Sequence, residues 1–291
     1  MNLAAFEAFV KVMETGSISL AADQLFITQP AVTKRIHSLE EYFGVKLFES
    51  AGRGVQATHA AHSLLPKVKN WLNELGDIHY TLSHEQALVQ GKLKIGTSHH
   101  IGLHHLPSHL RRYVQAYPDV TLDVHFVDSE QAHEQVIAGD LELAFLTLPP
   151  RGDARLNYVT IWNDPLVFVV APFHPLAQQK NLSLEDLLEY PSLLPSSQTY
   201  TSQITLAEFE KQGIKPKVSM SNNPLESIRM LVSIGLGWSV LPKTLVNHDL
   251  HQLDINLEMN RRLGMVWHPG RTQSKAAQAL VQLMQDSALP I

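Results

Sequence analysis

Four polar side chains in a short segment between Thr28 and Phe43 could bind a DNA duplex: Gln29, Thr33, Lys34 and His37. Amides, hydroxyls and cations hydrogen-bond to base edges and phosphates. The apolar residues between them recur at helical spacing and would form a buried stripe, which comprises Val32, Ile36, Leu39 and Phe43. The segment therefore predicts a helix that buries one side and offers hydrogen-bonding groups on the other.

The flanking residues predict a second helix before this one, with a tight turn between the two. Thr28 fits the N-cap position, Pro30 is tolerated in a first turn, and Gly44 can end the helix. Ser17 or Ser19 can cap the preceding helix. A helix-turn-helix is built in this way and offers the N-terminus of its second helix to the major groove. The candidate DNA contacts are therefore Ser17, Ser19, Thr28, Gln29, Pro30, Ala31, Thr33, Lys34, Arg35 and His37.

The same segment matches a family pattern. The run AADQLFITQPAVTKRIHSLEEYFGVKLFE, followed by GRGVQAT, resembles the winged helix-turn-helix of LysR-type transcriptional regulators. Thr33 replaces the usual serine, Phe43 the usual leucine, and Ser50 a usual arginine, so one phosphate contact of the family is in question. The resemblance implies sequence-specific binding to double-stranded DNA. Periodicity alone would also allow an amphipathic helix pair inside an unrelated domain.

A wing is expected next to the helix pair. Arg53 lies between Gly52 and Gly54, and a flexible turn tipped by a cation suits a phosphate or a minor groove. Arg53 is thus a further candidate DNA contact, although a solvated loop arginine is the alternative. Residues 1–58 would form this mainly helical DNA-binding domain.

Residues 59–88 are predicted to form a long linker helix. Its apolar residues alternate spacings of 4 and 3, as in a coiled coil, and are Leu64, Val68, Trp71, Leu75, Ile78 and Leu82. Pro66 would bend the helix slightly. In the LysR-type family, which the chain resembles, this helix joins two DNA-binding domains. We therefore expect a homodimer that binds paired half-sites, and a homotetramer built from such dimers. Packing against the chain's own later domain is the alternative.

Composition restricts the class of protein. The 291 residues carry a formal net charge of -5 and no cysteine, which excludes disulfides and thiolate zinc sites. DNA binding needs only a local basic cluster, and the chain supplies one in Lys34, Arg35, Lys46 and Arg53. The amphipathic N-terminus and the lack of a long apolar run predict a cytoplasmic protein with no membrane partner.

Beyond Gly91, short apolar segments alternate with helical ones, which predicts an α/β domain with parallel βαβ units. Strands are expected at 92–97, 121–127, 141–148, 159–162, 166–171, 192–194, 218–220, 238–241 and 262–267. Helices are expected near Ile101, Ser129, Ser183, Thr201, Asn223 and Ser274. For the helix near Asn223, that residue is the predicted cap, with Pro224 in the first turn and Glu226 as a capping-box acid.

This second region resembles the effector-binding domain of the same family, which is similar to periplasmic solute-binding proteins. The resemblance implies a two-lobed domain at 89–291. Lobe one would span 92–162 and 267–291, and lobe two would span 163–266.

A ligand site is expected where strands of such a sheet end and helices begin, because free amides there favour anions. Polar residues follow several strands at these points. The candidate effector contacts are Thr97, Ser98, His99, His100, Thr147, Leu148, Pro149, Ser196, Ser197, Gln198, Thr199, Tyr200 and Asn222. Hydroxyls and amides dominate this set without opposing buried charges, which predicts a small polar or carboxylated effector.

Other chemistries have weaker signals. His100 with His104, and His105 with His109, have the spacing of four that can place two imidazoles on one metal. Neither pair has a carboxylate nearby in sequence, so no metal or other cofactor is expected. No phosphate-binding loop, nucleophile elbow or zinc-protease motif occurs, so no enzyme is predicted, and Leu236 and Trp238 are expected in a core. A solute-binding or histidine-based metal sensor module without direct DNA binding is the rival interpretation.

Overall fold

The structure is a computed structural model that describes residues 2–51, 54–83 and 89–286, with side chains described except at 50, 51, 70, 73, 74 and 76–83. The chain divides into two compact units, Met1–Gln86 and Ala87–Ile291. No helix in the described part of the chain is long and apolar enough to cross a membrane.

The N-terminal unit contains the predicted helix pair. Its elements are α1 (Leu3–Thr15), α2 (Ile18–Gln24), α3 (Gln29–Phe43), β1 (Phe48–Ala51), β2 (Gly54–Ala57) and α4 (His59–Ser83). Ser17 caps α2 by accepting a hydrogen bond from the Leu20 amide. Gly16 and Gly44 end α1 and α3 with φ of +62° and +67°, a conformation that glycine adopts without a steric cost. Thr28 occupies the N-cap position of α3, but its side chain makes no capping hydrogen bond.

One apolar core holds the three N-terminal helices and the start of α4 together. Val32, Ile36 and Leu39 of the predicted stripe are buried in it, whereas Phe43 is 39% exposed. Val68 of α4 is buried in the same core and Leu64 packs against it. The first part of the predicted coiled-coil seam thus packs within its own unit, and not wholly against a partner.

The C-terminal unit is an α/β domain. Its strands are β3 (Gly91–Thr97), β4 (Val120–Phe126), β5 (Leu143–Thr147), β6 (Asn157–Val170), β7 (Ser192–Leu194), β8 (Val218–Ser221), β9 (Ser239–Pro242), β10 (His251–Gln252) and β11 (Met259–Trp267). Its α-helices are α5 (His99–His104), α6 (Pro107–Ala116), α7 (Ser129–Ala138), α8 (Tyr200–Lys211), α9 (Leu225–Ser233) and α10 (Lys275–Gln285). The segment predicted as a helix near Ser183 is a short 3-10 helix, Glu185–Glu189.

The main sheet has the order β10-β6-β11-β5-β3-β4, and β9 also pairs with β6. Strands β4, β3 and β5 are parallel, as predicted, whereas β6 and β11 pair antiparallel along their length. The sequence pattern predicted two strands, 159–162 and 166–171, in the region that the single strand β6 spans. The polar Asn163 and Asp164 interrupt the apolar pattern, but Asp164 stands opposite Arg261 in the register with β11 and remains within the strand.

Two predictions about residues beside α9 are wrong. Asn223 does not cap α9, whose N-cap position is Pro224 without a side-chain hydrogen bond. The Asn223 side chain has long-range partners instead, as described below. Leu236 is 43% exposed, while Trp238 is fully buried as predicted and donates from its indole nitrogen to the Leu187 carbonyl.

Candidate functional site

Most of the predicted DNA contacts lie on α3 or at its N-cap. Five of them are exposed: Thr28, Gln29, Pro30, Lys34 and His37. The other five on the helix pair are partly buried: Ser17, Ser19, Ala31, Thr33 and Arg35. The Gln29 side chain donates a hydrogen bond to the Ser19 hydroxyl, so these two residues are held together at the start of α3. Arg53 lies outside the described residues.

Glu40 fixes the end of α3 to the wing. Its carboxylate accepts hydrogen bonds from the Leu47 amide (2.9 Å), the Phe48 amide (3.3 Å) and Lys46 Nζ (2.8 Å). Burial by itself would raise the pKa of Glu40, but these three donors outweigh it and hold the pKa below its usual value. Lys46 is therefore engaged within the domain. Lys34 and Arg35 make no ion pair with any described residue, so their charges remain available.

The wing is also attached directly to α1. The Val55 amide donates to the Gly16 carbonyl at 3.2 Å. A Cβ on Gly54 would lie 2.8 Å from the same carbonyl oxygen, so the close approach requires glycine there. These contacts hold β1 and β2 beside the helix pair, as a winged helix-turn-helix requires.

In the C-terminal unit a small cavity of about 50 Å³ lies beyond the ends of β3 and β5, where α5, α7, α8 and α9 begin. The residues that line it are Ser98, His99, His100, Asp128, Ser129, Glu130, Thr147, Pro195, Thr199, Thr201, Asn223, Pro224, Leu225 and Arg261. This is the position at which α/β sheets commonly bind ligands. Five of the predicted effector contacts thus come together: Ser98, His99, His100, Thr147 and Thr199.

The remaining predicted contacts lie elsewhere. Pro149, Ser197 and Tyr200 line a separate open groove of about 840 Å³. Leu148 is buried in an apolar cluster, and Thr97 is fully buried. Three more are not among the residues that line either space, namely Ser196, Gln198 and Asn222. Asn222 is next to Asn223, which does line the cavity.

Direct hydrogen bonds join the segments around this cavity. Asn223 Nδ2 donates to Asp128 Oδ2 at 2.6 Å, and Asn223 Oδ1 accepts from the Ser196 amide at 3.0 Å. Glu130 of α7 accepts a hydrogen bond from the Tyr200 amide at the start of α8. Burial raises the pKa of the Glu130 carboxyl. No local sequence pattern predicts these links, since the partners are far apart along the chain.

Arg261, which lines the cavity, belongs to a buried ion pair with Asp164, contrary to the prediction of a site without opposing buried charges. Arg261 Nε donates to Asp164 Oδ2 at 2.7 Å, and Arg261 Nη1 donates to the Thr201 hydroxyl at 3.0 Å. Both ionic side chains are at most 3% exposed. Burial opposes ionisation of Asp164, but the neighbouring His100 imidazole and the charge of Arg261 keep its pKa below the usual value. The sheet register of β6 and β11 creates this pair, which periodicity could not reveal.

The histidines of α5 meet carboxylates from distant segments. His100 is 3% exposed, and its two ring nitrogens lie 3.5 Å from Asp164 Oδ2 and 3.8 Å from Glu226 Oε1. His104 Nε2 lies 3.3 Å from the same Glu226 oxygen. Burial lowers the pKa of neighbouring His105 to about 4, so that imidazole is neutral at pH 7. These carboxylates are far from the histidines in sequence, which is why the sequence pattern did not predict that they would be neighbours.

Comparison with known proteins decides the family. A family model described as the bacterial regulatory helix-turn-helix protein of the lysR family matches residues 3–62. A second, described as the LysR substrate binding domain, matches residues 86–289. The chain belongs to the LysR family. This LysR-family transcriptional regulator combines a DNA-binding helix-turn-helix with an effector-binding domain, which confirms the predicted function and fold class.

Individual relatives agree with this assignment. The chain is 30% identical over 236 residues to the HTH-type transcriptional activator CmpR of Synechocystis, covering 81% of this chain and 77% of that protein. It is 30% identical over 278 residues to a probable RuBisCO transcriptional regulator of Trichormus variabilis, covering 92% and 82%. A full-length OxyR variant of Pseudomonas aeruginosa has the same fold, with a TM-score of 0.73, 20% identity, and coverage of 99% and 94%.

Proposed function

We propose that this LysR-family regulator reads its operator through the N-terminal half of α3. The observation that carries the proposal is the division of α3 into a buried stripe, Val32, Ile36 and Leu39, and an exposed polar side with Gln29 and Lys34. A major groove admits one α-helix, and amides and cations on it reach base edges and phosphates. The other candidate contacts flank this side, and Arg53 would contact the backbone from the wing.

Loss of the Lys34 charge tests this assignment. Lys34→Ala should weaken operator binding and, if the contact is to a phosphate, lower the slope of log K against log salt by about 0.9. Lys215→Ala removes the same charge from an exposed site in the C-terminal unit and serves as the matched control. Gel-shift titrations at several salt concentrations measure both. Equal affinity and equal slope for the two variants would refute the role of Lys34.

We further propose that the protein acts in the cytoplasm as a homodimer joined through α4, and as a homotetramer of such dimers. Trp71 supports this, because it follows Val68 on the seam and its side chain is 37% exposed. One side of its ring packs on Phe6, with 5.1 Å between the ring centroids, and the rest is free to contact a partner. The side chains of Ile78 and Leu82, which complete the seam, lie outside the described set. The corresponding division of the chain is 1–58, 59–88 and 89–291. Trp71→Glu should shift the dimer toward monomer in analytical ultracentrifugation while leaving the fold intact.

The effector proposal rests on Glu130. Water occupies about 30 Å³ per molecule in the liquid, and ligand pockets usually measure about 300–1,000 Å³. A cavity of about 50 Å³ is therefore too small for an effector unless the hydrogen bonds that close it are broken. Glu130 holds the Tyr200 amide at the start of α8, where free amides would favour an anionic ligand. A small carboxylated effector would displace the Glu130 carboxylate and take its place.

Neutralising Glu130 tests this competition. Glu130→Gln removes a negative charge within a few ångströms of the bound carboxylate, and should strengthen binding by at least about tenfold. Glu134→Gln is the control, because Glu134 lies on the same helix with a side chain 70% exposed. Isothermal titration with a panel of small mono- and dicarboxylates provides the measurement. If every carboxylate that binds the wild type binds Glu130→Gln more weakly, Glu130 is a ligand-holding residue and the competition is refuted.

A further inference from the structure

Three side chains from two distant helices converge next to the cavity. His100 and His104 lie one turn apart on α5, and Glu226 lies in the first turn of α9. One ligand atom from each lies within 4.8 Å of the other two. Their side chains differ in exposure: His100 is 3% exposed, Glu226 29% and His104 36%.

Three buried polar atoms of this group have no hydrogen-bond partner among the residues that the structure describes. These are both ring nitrogens of His100 and Oε1 of Glu226. A buried imidazole normally has a partner for at least one nitrogen, because an unpaired buried donor or acceptor destabilises the fold. The distances of 3.3 Å and 3.8 Å from the histidine nitrogens to Glu226 Oε1 leave room for a bound atom among the three.

The spacing fits a tetrahedral metal ion. Zinc binds histidine nitrogen and carboxylate oxygen at about 2.0–2.2 Å, so neighbouring ligand atoms lie about 3.4 Å apart. Three protein ligands leave a fourth position, and the exposed edge of His104 would admit water to it.

Asp164 lies on the far side of the His100 ring, where a carboxylate could orient that imidazole toward a metal. A histidine that binds a metal usually donates its other ring N–H to a carboxylate. His100 Nε2 lies 3.5 Å from Asp164 Oδ2, so Nδ1 would face the metal. The alternative group of His100, His105 and Asp164 suits a cation less well, because Arg261 already holds Asp164 at 2.7 Å and repels a second positive charge.

We propose that His100, His104 and Glu226 form a binding site for a zinc-type divalent cation. The ion would join α5 to α9 beside the effector cavity, and so stabilise the closed arrangement of these helices. This inference goes beyond the proposed function and depends on neither DNA binding nor effector identity.

Cobalt is a suitable probe because tetrahedral Co²⁺ absorbs visible light strongly. The untagged full-length chain, stripped with a chelator, is titrated with CoCl₂ and then with ZnCl₂. The expected result is one tetrahedral Co²⁺ per chain, displaced by Zn²⁺. His104→Ala and Glu226→Gln should each lower the affinity more than a hundredfold, since even outer-shell changes cost about 10–100-fold.

His248→Ala is the matched control. His248 is 89% exposed and lies outside the group, so its loss should leave the spectrum and the affinity unchanged. Circular dichroism and operator binding establish that the variants fold. Absence of the tetrahedral spectrum in the wild type would overturn the proposal. Binding by His104→Ala and Glu226→Gln as tight as that of the wild type would overturn it too, because the ion would then lie on other histidines of the 16 in the chain.

Discussion

Replacing Asn223 with alanine would remove the side chain that joins α7 to the loop before α8. Two hydrogen bonds would be lost, one from Nδ2 to the Asp128 carboxylate at 2.6 Å and one from the Ser196 amide to Oδ1 at 3.0 Å. Hydrogen bonds to charged groups contribute about 1.5–3 kcal/mol and neutral ones about 0.5–1.5 kcal/mol. Both lie in a partly buried setting where water can replace them in part, so we expect a loss of about 2 kcal/mol in the free energy of unfolding.

That loss converts to a change in melting temperature. For a unit of roughly 200 residues, 1 kcal/mol shifts the midpoint by about 2–4 °C. The unit that contains Asn223 spans Ala87–Ile291. Scanning calorimetry of the full chain should therefore show its transition about 4–8 °C lower in Asn223→Ala. The same change removes a contact that closes the cavity, so carboxylate affinity should change along with stability.

Asn222→Ala is the matched control, because it deletes the same amide one residue earlier. The Asn222 side chain makes no hydrogen bond to any residue that the structure describes. A double-mutant cycle with Asp128→Ala isolates the bond itself, and its coupling energy should be at least about 0.5–1 kcal/mol. Equal shifts for Asn222→Ala and Asn223→Ala, or zero coupling with Asp128, would refute the assignment of Asn223 as the link.

Two further predictions concern stability. The folded-state pKa of Glu40 lies below its ordinary value of about 4.5. The ionised Glu40 side chain therefore adds to the free energy of unfolding above that pH, and this stabilisation is lost as the pH falls through the folded-state pKa. Urea unfolding from about pH 7 to about pH 3 should then show the difference between wild type and Glu40→Gln shrinking in acid, and a constant difference would contradict this. Gly237→Ala should destabilise the C-terminal unit by more than about 2 kcal/mol, because its Cβ would lie 2.1 Å from the Pro191 carbonyl oxygen; an unchanged calorimetric midpoint would exclude that clash.

Local signals in the sequence were enough to predict the N-terminal unit. The helical spacing of Val32, Ile36 and Leu39 and the glycine at position 44 are properties of neighbouring residues, and each predicts an element that the structure contains. Even there, tertiary contacts decided the role of Glu40. Its donors lie six to eight residues away in the chain, beyond the reach of a helix period.

In the C-terminal unit, too, local sequence patterns predicted some features and tertiary contacts decided others. Alternating apolar and helical segments predicted its strands, and the rule that ligands bind at strand ends predicted the place of the cavity. The cap assigned to Asn223 failed because long-range hydrogen bonds outweighed the local capping preference. The single strand β6 was missed because the charge of Asp164 is matched only in the folded sheet.

What the sequence determined by itself was most of the elements and the family pattern, since both depend on spacing along the chain. The tertiary structure alone decided which partners the buried polar side chains meet. Asp164 lies beside Arg261, Glu130 accepts from the Tyr200 amide, and Glu226 lies beside His100. Each of these pairs joins residues at least 70 positions apart. Sheet register and helix packing bring them together, and neither is encoded in any local window of residues.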